Sequence, residues 1–152
     1  VPEAHCVMHI HTTATMAVCC SEGGLEFSNF YAAMLYEKLA YHEFEGITLH
    51  AEEGHRILAS SNGKPVLLLK NHGPVVMGHS IANAFSLLWR LQRACEVQVA
   101  TAAIGKGSPI SEAILKQCAE QTLSNNPKYG AGEDVFAAMT RLVDRIDTRY
   151  KY

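Results

Sequence analysis

The chain has 152 residues, 48% of them hydrophobic and 18% charged, with a formal net charge of -2. That balance supplies one packed domain with a real core. It excludes a dedicated nucleic-acid binder, which shows a basic patch and a pI above about 9, because the pI here is near 6.5. No apolar run is long enough to cross a bilayer as a helix, and no basic–apolar–small signal pattern is present. The 5 cysteines (Cys6, Cys19, Cys20, Cys95 and Cys118) make an odd count with no C-x-x-C spacing. They suit reduced, core-filling thiols in a cytoplasmic protein better than a disulfide frame.

The chain opens Val1-Pro2-Glu3, with no initiator methionine and almost no lead-in to an apolar strand. The expectation is one domain over residues 1–152 that lacks an N-terminal segment of a longer polypeptide. Ala4 to His11 predicts a strand with Ala4, Cys6, Met8 and Ile10 on one face and His5, Val7, His9 and His11 on the other. Thr12 or Thr13 can cap a short helix through Cys20. Ser21-Glu22-Gly23-Gly24 is a loop, and Asn29 to Tyr36 is a short helix. Leu39 to Phe44 predicts a strand, and His50 to Ser60 a helix stopped by Asn62-Gly63. Pro65 to Lys70, with Val66-Leu67-Leu68-Leu69, suits a strand buried on both faces. Pro74 to Met77 follows as another strand after the Asn71-His72-Gly73 turn.

Ser80 caps the longest helix, Ile81 to Ile104, with an apolar stripe of Ile81, Ala84, Phe85, Leu88, Leu91, Cys95, Val99 and Ala102. Ser111 to Leu123 and Glu133 to Arg149 are two more helices, separated by the loop Ser124-Asn125-Asn126-Pro127. Strands mixed with helices able to cover both sides of a sheet predict an α/β fold, a three-layer α/β/α sandwich.

His9-Ile10-His11 and Asn71-His72-Gly73 carry the chemistry. Histidines at i and i+2 of a strand point the same way, roughly 6.5–7 Å apart along the chain. A third at the end of another strand completes a three-histidine set that leaves a metal position open for water or substrate. Gly73 permits a sharp turn beside the ion. Tyr41, Glu43 and Glu45 lie on one segment and are candidates for proton transfer, against the plainer alternative of a solvated strand end. His5, His42, His50, His55 and His79 are expected to face solvent, and Trp89 to sit half-buried at a helix edge or to make a subunit contact. Tyr129, Tyr150 and Tyr152 are tail residues that could cover a site, against the plainer alternative of ordinary amphipathic surface.

Four segments carry a family resemblance: His9-Ile10-His11-Thr12, Ala40-Tyr41-His42-Glu43-Phe44-Glu45-Gly46, Leu69-Lys70-Asn71-His72-Gly73-Pro74-Val75-Val76-Met77-Gly78 and Ala94-Cys95-Glu96-Val97-Gln98. In order and spacing over residues 4–105 they resemble the class II aldolase/adducin family, most closely its adducin-like branch. The resemblance implies a class II aldolase-like sandwich with a mostly antiparallel central sheet. It implies a divalent metal, zinc by donor type, on His9, His11 and His72, and a homotetramer acting on a small-molecule substrate. The implied activity is a lyase: retro-aldol cleavage or epimerisation of a small hydroxy-carbonyl, such as a sugar phosphate, through a metal-stabilised enediolate. Tyr41 and Glu43 would then be the catalytic candidates. It also implies a phosphate-binding loop and an acidic catalytic residue, both upstream of Val1. The alternative that the same resemblance implies is a non-catalytic, adducin-like oligomerising domain.

Overall fold

The structure, a computed structural model, describes residues 4–47, 51–123 and 132–152. The expectations for His50, for the loop at residues 124–127 and for Tyr129 fall outside the described residues. Elements follow in the order β1 (Cys6–His9), α1 (Thr13–Cys20), α2 (Phe30–Ala33), β2 (Leu39–His42), α3 (Ala51–Ser61), β3 (Val66–Leu69), β4 (Gly73–Gly78), α4 (Ile81–Ala102), α5 (Glu112–Leu123) and α6 (Glu133–Asp144), with a closing 3-10 turn at Arg149–Lys151.

The four strands form one sheet in the order β1-β4-β3-β2. β1 and β3 each pair antiparallel with β4, while β2 pairs parallel with β3. The mixed sheet follows from its connections. The Lys70-Asn71-His72 link is short enough only for an antiparallel return, whereas the β2–β3 crossover runs through α3. The return needs one residue in the left-handed region, and Asn71 supplies it at φ 56°, a conformation asparagine tolerates better than most residues.

β3 is buried along its whole length, as its unbroken apolar run predicts. Val66 and Leu68 belong to the main core with Val76, Leu35, Val18 and the α4 residues Leu87, Leu91, Ala94 and Cys95. On β2, His42 meets Ser60 of α3, while the preceding residue, Tyr41, meets the backbone of Leu25. Alternation along the strand therefore puts α3 on one face and the α1/α4 layer on the other, which is the α/β/α arrangement.

α4 runs as the sequence predicts, capped by the Ser80 hydroxyl accepting from the Asn83 amide. Its buried face is rotated from the expected stripe. Ala84, Leu91, Ala94 and Cys95 are fully buried, whereas Ile81 and Val99 are exposed. The helix turns the face that fits α1 and the sheet, and two β-branched residues are left in solvent. α6 stops at Asp144 rather than Arg149, and none of its residues is buried. The most sensitive core position is Leu91, at 0% exposure. Leu91→Ala should cost about 2–5 kcal/mol, read as a lower urea midpoint at unchanged m-value.

Candidate metal centre

The sheet topology gathers the chemistry at one edge. β1 and β3 are both antiparallel to β4, and β2 is parallel to β3, so β1, β2 and β3 all run the same way. Their C-terminal ends deliver His9 and His11, then His42 and Glu43, then Lys70 and His72. Open α/β sheets bind ligands at this end of their strands.

The three histidines expected as ligands meet there. Ligating nitrogens of His9, His11 and His72 all lie within 4.8 Å of one another, and the rings approach to centroid distances of 4.5, 4.9 and 4.8 Å. The route differs in one respect from the sequence expectation. β1 ends at His9, so His11 projects from the segment beyond the strand rather than from the same pleated face.

Backbone contacts aim these rings. His9 Nδ1 donates to the Pro74 carbonyl at 2.8 Å. In the neutral ring this leaves Nε2 as a lone pair facing the cluster, the arrangement typical of metal-ligating histidine. His11 Nε2 lies 2.7 Å away and donates to it. To offer all three lone pairs to one ion, His11 moves that proton to Nδ1. His72 is held below the ordinary histidine pKa, chiefly by desolvation and then by the neighbouring His9 and His11, so it is neutral at pH 7. Gly73 makes the approach possible. A Cβ there would lie 2.6 Å from the Ile10 carbonyl oxygen, 3.0 Å from His11 Cδ2 and 3.4 Å from His9 Cε1. The donor set and the close approach fit a divalent ion, with His11 in the tautomer that carries its proton on Nδ1.

A narrow crevice beside the cluster is lined by His42, Glu43, Glu45, Glu53, Lys70 and His72, among others. Glu43, one of the two catalytic candidates, is exposed and pairs with Lys70 at 2.6 Å. Tyr41 points to the opposite face. Its hydroxyl accepts the Leu25 amide at 3.0 Å, and burial raises its pKa. Glu45 is held by Arg56 through contacts of 2.8 and 2.5 Å, which keep its carboxyl below the usual range.

His42 departs from the expectation that it faces solvent: it is only 8% exposed. Its Nδ1 donates to Ser60 Oγ at 2.8 Å, and that hydroxyl donates to the Arg56 carbonyl at 3.0 Å. The alternation of a four-residue strand was the only sequence signal for this, and it cannot say which side a helix will cover. Cys19 and Cys95 are buried thiols pushed up to about 12, mainly by desolvation. They stay protonated and inert.

Comparison with known proteins agrees with this geometry. Residues 1–99 match the model of the Class II Aldolase and Adducin N-terminal domain. A Pseudomonas aeruginosa protein named for aldolase class 2 is 41% identical over 97 residues, covering 64% of this chain and 38% of that protein. Alpha-adducin of Rattus norvegicus is 36% identical over 166 residues, covering 99% of this chain and 22% of that protein. The chain thus spans well under half the length of either relative. Among solved structures, an aldolase II superfamily protein from Pseudomonas syringae superposes with TM-score 0.90 at 28% identity, covering 99% of this chain and 61% of that one. L-fuculose 1-phosphate aldolase from Glaciozyma antarctica PI12 shares the fold, with TM-score 0.77 at 20% identity over 96% of this chain and 54% of that one.

The environment of His72 has a pH signature. Its folded pKa is depressed below the unfolded value, so the unfolded chain binds more protons in that window and stability rises with pH. Metal-free protein should therefore lose stability as pH falls through about 6.5 toward the lower folded value. In an NMR titration the His72 ring should titrate below about 6.5 and move upward in His9→Ala. Gly73→Ala sets a methyl against the Ile10 carbonyl, which is backbone and cannot swing away. It should remove the His11-to-His9 ring hydrogen bond, seen as loss of the shared ring proton.

Proposed function

Because the chain belongs to the class II aldolase and adducin family, we propose that it holds a divalent metal ion, zinc by donor type, on His9, His11 and His72. In this reading it acts as a lyase on a small hydroxy-carbonyl compound such as a sugar phosphate, by retro-aldol cleavage or by epimerisation through the same cleavage. The convergence of three imidazole nitrogens within 4.8 Å carries this reading. A structural zinc is closed by four protein ligands, whereas three protein ligands are the catalytic pattern. When bound, the ion supplies Lewis-acid stabilisation of the charge that builds on a carbonyl oxygen as the neighbouring carbon–carbon bond breaks.

The chain's own residues supply the rest. In retro-aldol cleavage a base takes the proton of the hydroxyl on the departing carbon, and that oxygen becomes the new carbonyl. The electron pair of the broken bond stays beside the retained carbonyl until a proton is returned. We assign that proton transfer to Glu43, whose carboxylate shares a crevice with His72. Lys70 at 2.6 Å directs it. Tyr41 is the weaker of the two candidates, because its hydroxyl is engaged by the Leu25 amide on the other face of the sheet.

We further place the protein in the cytoplasm as a homotetramer. The 5 free cysteines support a reducing compartment, and no described helix is long and apolar enough to cross a membrane. A second reading has its own support. The match to alpha-adducin extends over 99% of the chain, against 64% for the aldolase-named relative, which favours an oligomerising domain without turnover.

Dialysed protein is expected to take up about one equivalent of zinc per chain, in keeping with a single three-ligand site. His11→Ala should abolish uptake with the far-UV circular dichroism unchanged. Less than about a tenth of an equivalent, before and after adding zinc, would overturn the metal reading. Glu43→Gln should retain the metal while lowering kcat by about 10²–10⁴-fold. Retained metal with no cleavage of any phosphorylated or free hydroxy-ketone would favour the adducin-like reading.

A further inference from the structure

We propose that Gln92 is a positioning residue for the three-histidine site, acting through Thr12 and helix α1 to set the gap between His11 and His72. The inference rests on the metal reading above and concerns how this chain pre-shapes the site.

The first observation is a helix cap left unused. Thr12 is the N-cap of α1, at φ -70° and ψ 149°, yet its side chain makes no cap hydrogen bond. A threonine at this position ordinarily accepts a backbone N–H of the first turn; here the hydroxyl is turned toward a distant side chain instead. Thr12 Oγ1 donates to Gln92 Oε1 at 2.6 Å, 80 residues along the chain. The fully buried Thr15 grips the same residue, donating to the Thr12 carbonyl at 3.1 Å with its hydroxyl 2.9 Å from Thr12 Oγ1. A local rule broken without local gain points to a constraint imposed by the site.

The second observation fixes the amide of Gln92. Its Nε2 donates to Glu96 Oε1 at 2.7 Å, and Glu96 is held in turn by Arg93 at 3.0 Å. A carboxylate only accepts, so the amide nitrogen must face Glu96 and the amide oxygen must face Thr12. All three residues stand on α4, which Leu91, Ala94 and Cys95 anchor in the core at 0% exposure.

The third observation is at the other end of α1. The Cys19 carbonyl accepts the Asn71 amide at 3.0 Å, and Asn71 immediately precedes His72. Helix α1 is therefore a strut between two ligand segments. His11 enters at its N-terminus beside Thr12, and the His72 turn hangs from its C-terminus. Gln92 clamps the N-terminal end to the rigid α4, so the spacing of the two histidines is set before any ion arrives. Outer groups that orient metal ligands typically contribute 10–100-fold to affinity.

The test compares zinc affinity, by competition with a chromophoric chelator, in wild type, Gln92→Leu, Thr12→Val and Thr12→Ser. Gln92→Leu and Thr12→Val should weaken binding about 10–100-fold, the double variant no more than either single one, and Thr12→Ser should match wild type. A second readout needs no metal: the signal of the ring proton shared by His9 and His11 should be shifted or lost in Gln92→Leu. Zinc affinity of Gln92→Leu within twofold of wild type, or an unaltered ring proton, overturns the proposal. If wild type takes up no zinc, the metal reading falls, and the ring proton alone decides whether Gln92 positions the histidines.

Discussion

The site depends on one close approach, that of the chain leaving β1 to the backbone at Gly73. A Cβ at residue 73 would fall 2.6 Å from the Ile10 carbonyl oxygen, so a side chain there would push the segment carrying His11 off the sheet edge. With glycine in place, His9 reaches the Pro74 carbonyl at 2.8 Å, and that one bond sets the His9 tautomer and turns its second nitrogen inward. The φ of Asn71 and the fixed antiparallel register then present His72 from the other side. The geometry is a backbone property first and a side-chain property second. It survives only while β1 and β4 stay in register, with His9 opposite Val75.

What was legible in the sequence follows from how local each signal is. The His-x-His pair, the histidine after an apolar strand, the fully buried β3 and the Ser80-capped α4 all declare themselves within a few residues. Each is where the pattern places it, within a residue or two at its ends. The buried face of α4 did not declare itself fully, because Ile81 and Val99 are as apolar as the residues that pack and only the neighbouring helix decides between them. His42 was illegible for the same reason: whether α3 covers that side of β2 is a property of the crossover, not of the strand. Tyr41 and Glu43, two residues apart, share a short segment in sequence. Their polar groups part because the strand ends between them, one to the Leu25 amide and the other to Lys70. Thr12 was readable as a cap by position but not as a cap diverted to Gln92, a partner 80 residues away.

The molecule separates its inert from its responsive groups. On the α1/α4 side, Cys19 and Cys95 lie buried with pKa values pushed up to about 12. Their thiols compete neither as nucleophiles nor as metal ligands at neutral pH. At the strand edge the three clustered histidines, Glu43 and Lys70 are half-buried or exposed, and His72 is biased toward its neutral form. On the proposed metal reading, an ion meets lone-pair nitrogens at the strand edge, while the two buried thiols stay protonated and do not compete for it.

The exposure of the site also limits which effects can do catalytic work. His9 and His11 are open to solvent and His72 is half-buried, so charge–charge interactions at a distance are screened there and the low-dielectric amplification of a closed active site is absent. Direct coordination does not need a low dielectric, because ion and ligand touch and exclude water between them. On the proposed lyase reading, a site this open would draw its transition-state stabilisation from a bonded ion. The Glu43–Lys70 pair, at 77% and 38% side-chain exposure, can contribute only modest electrostatic energy of its own. On the proposed reading its value lies in position, holding a carboxylate in the crevice that His72 also lines. The proposed chemistry thus places the same demand on the histidine rings and on the acid, namely fixed geometry at a wet edge. Helix α1, hung between Thr12 and the Cys19 carbonyl, lies between the two segments that carry His11 and His72.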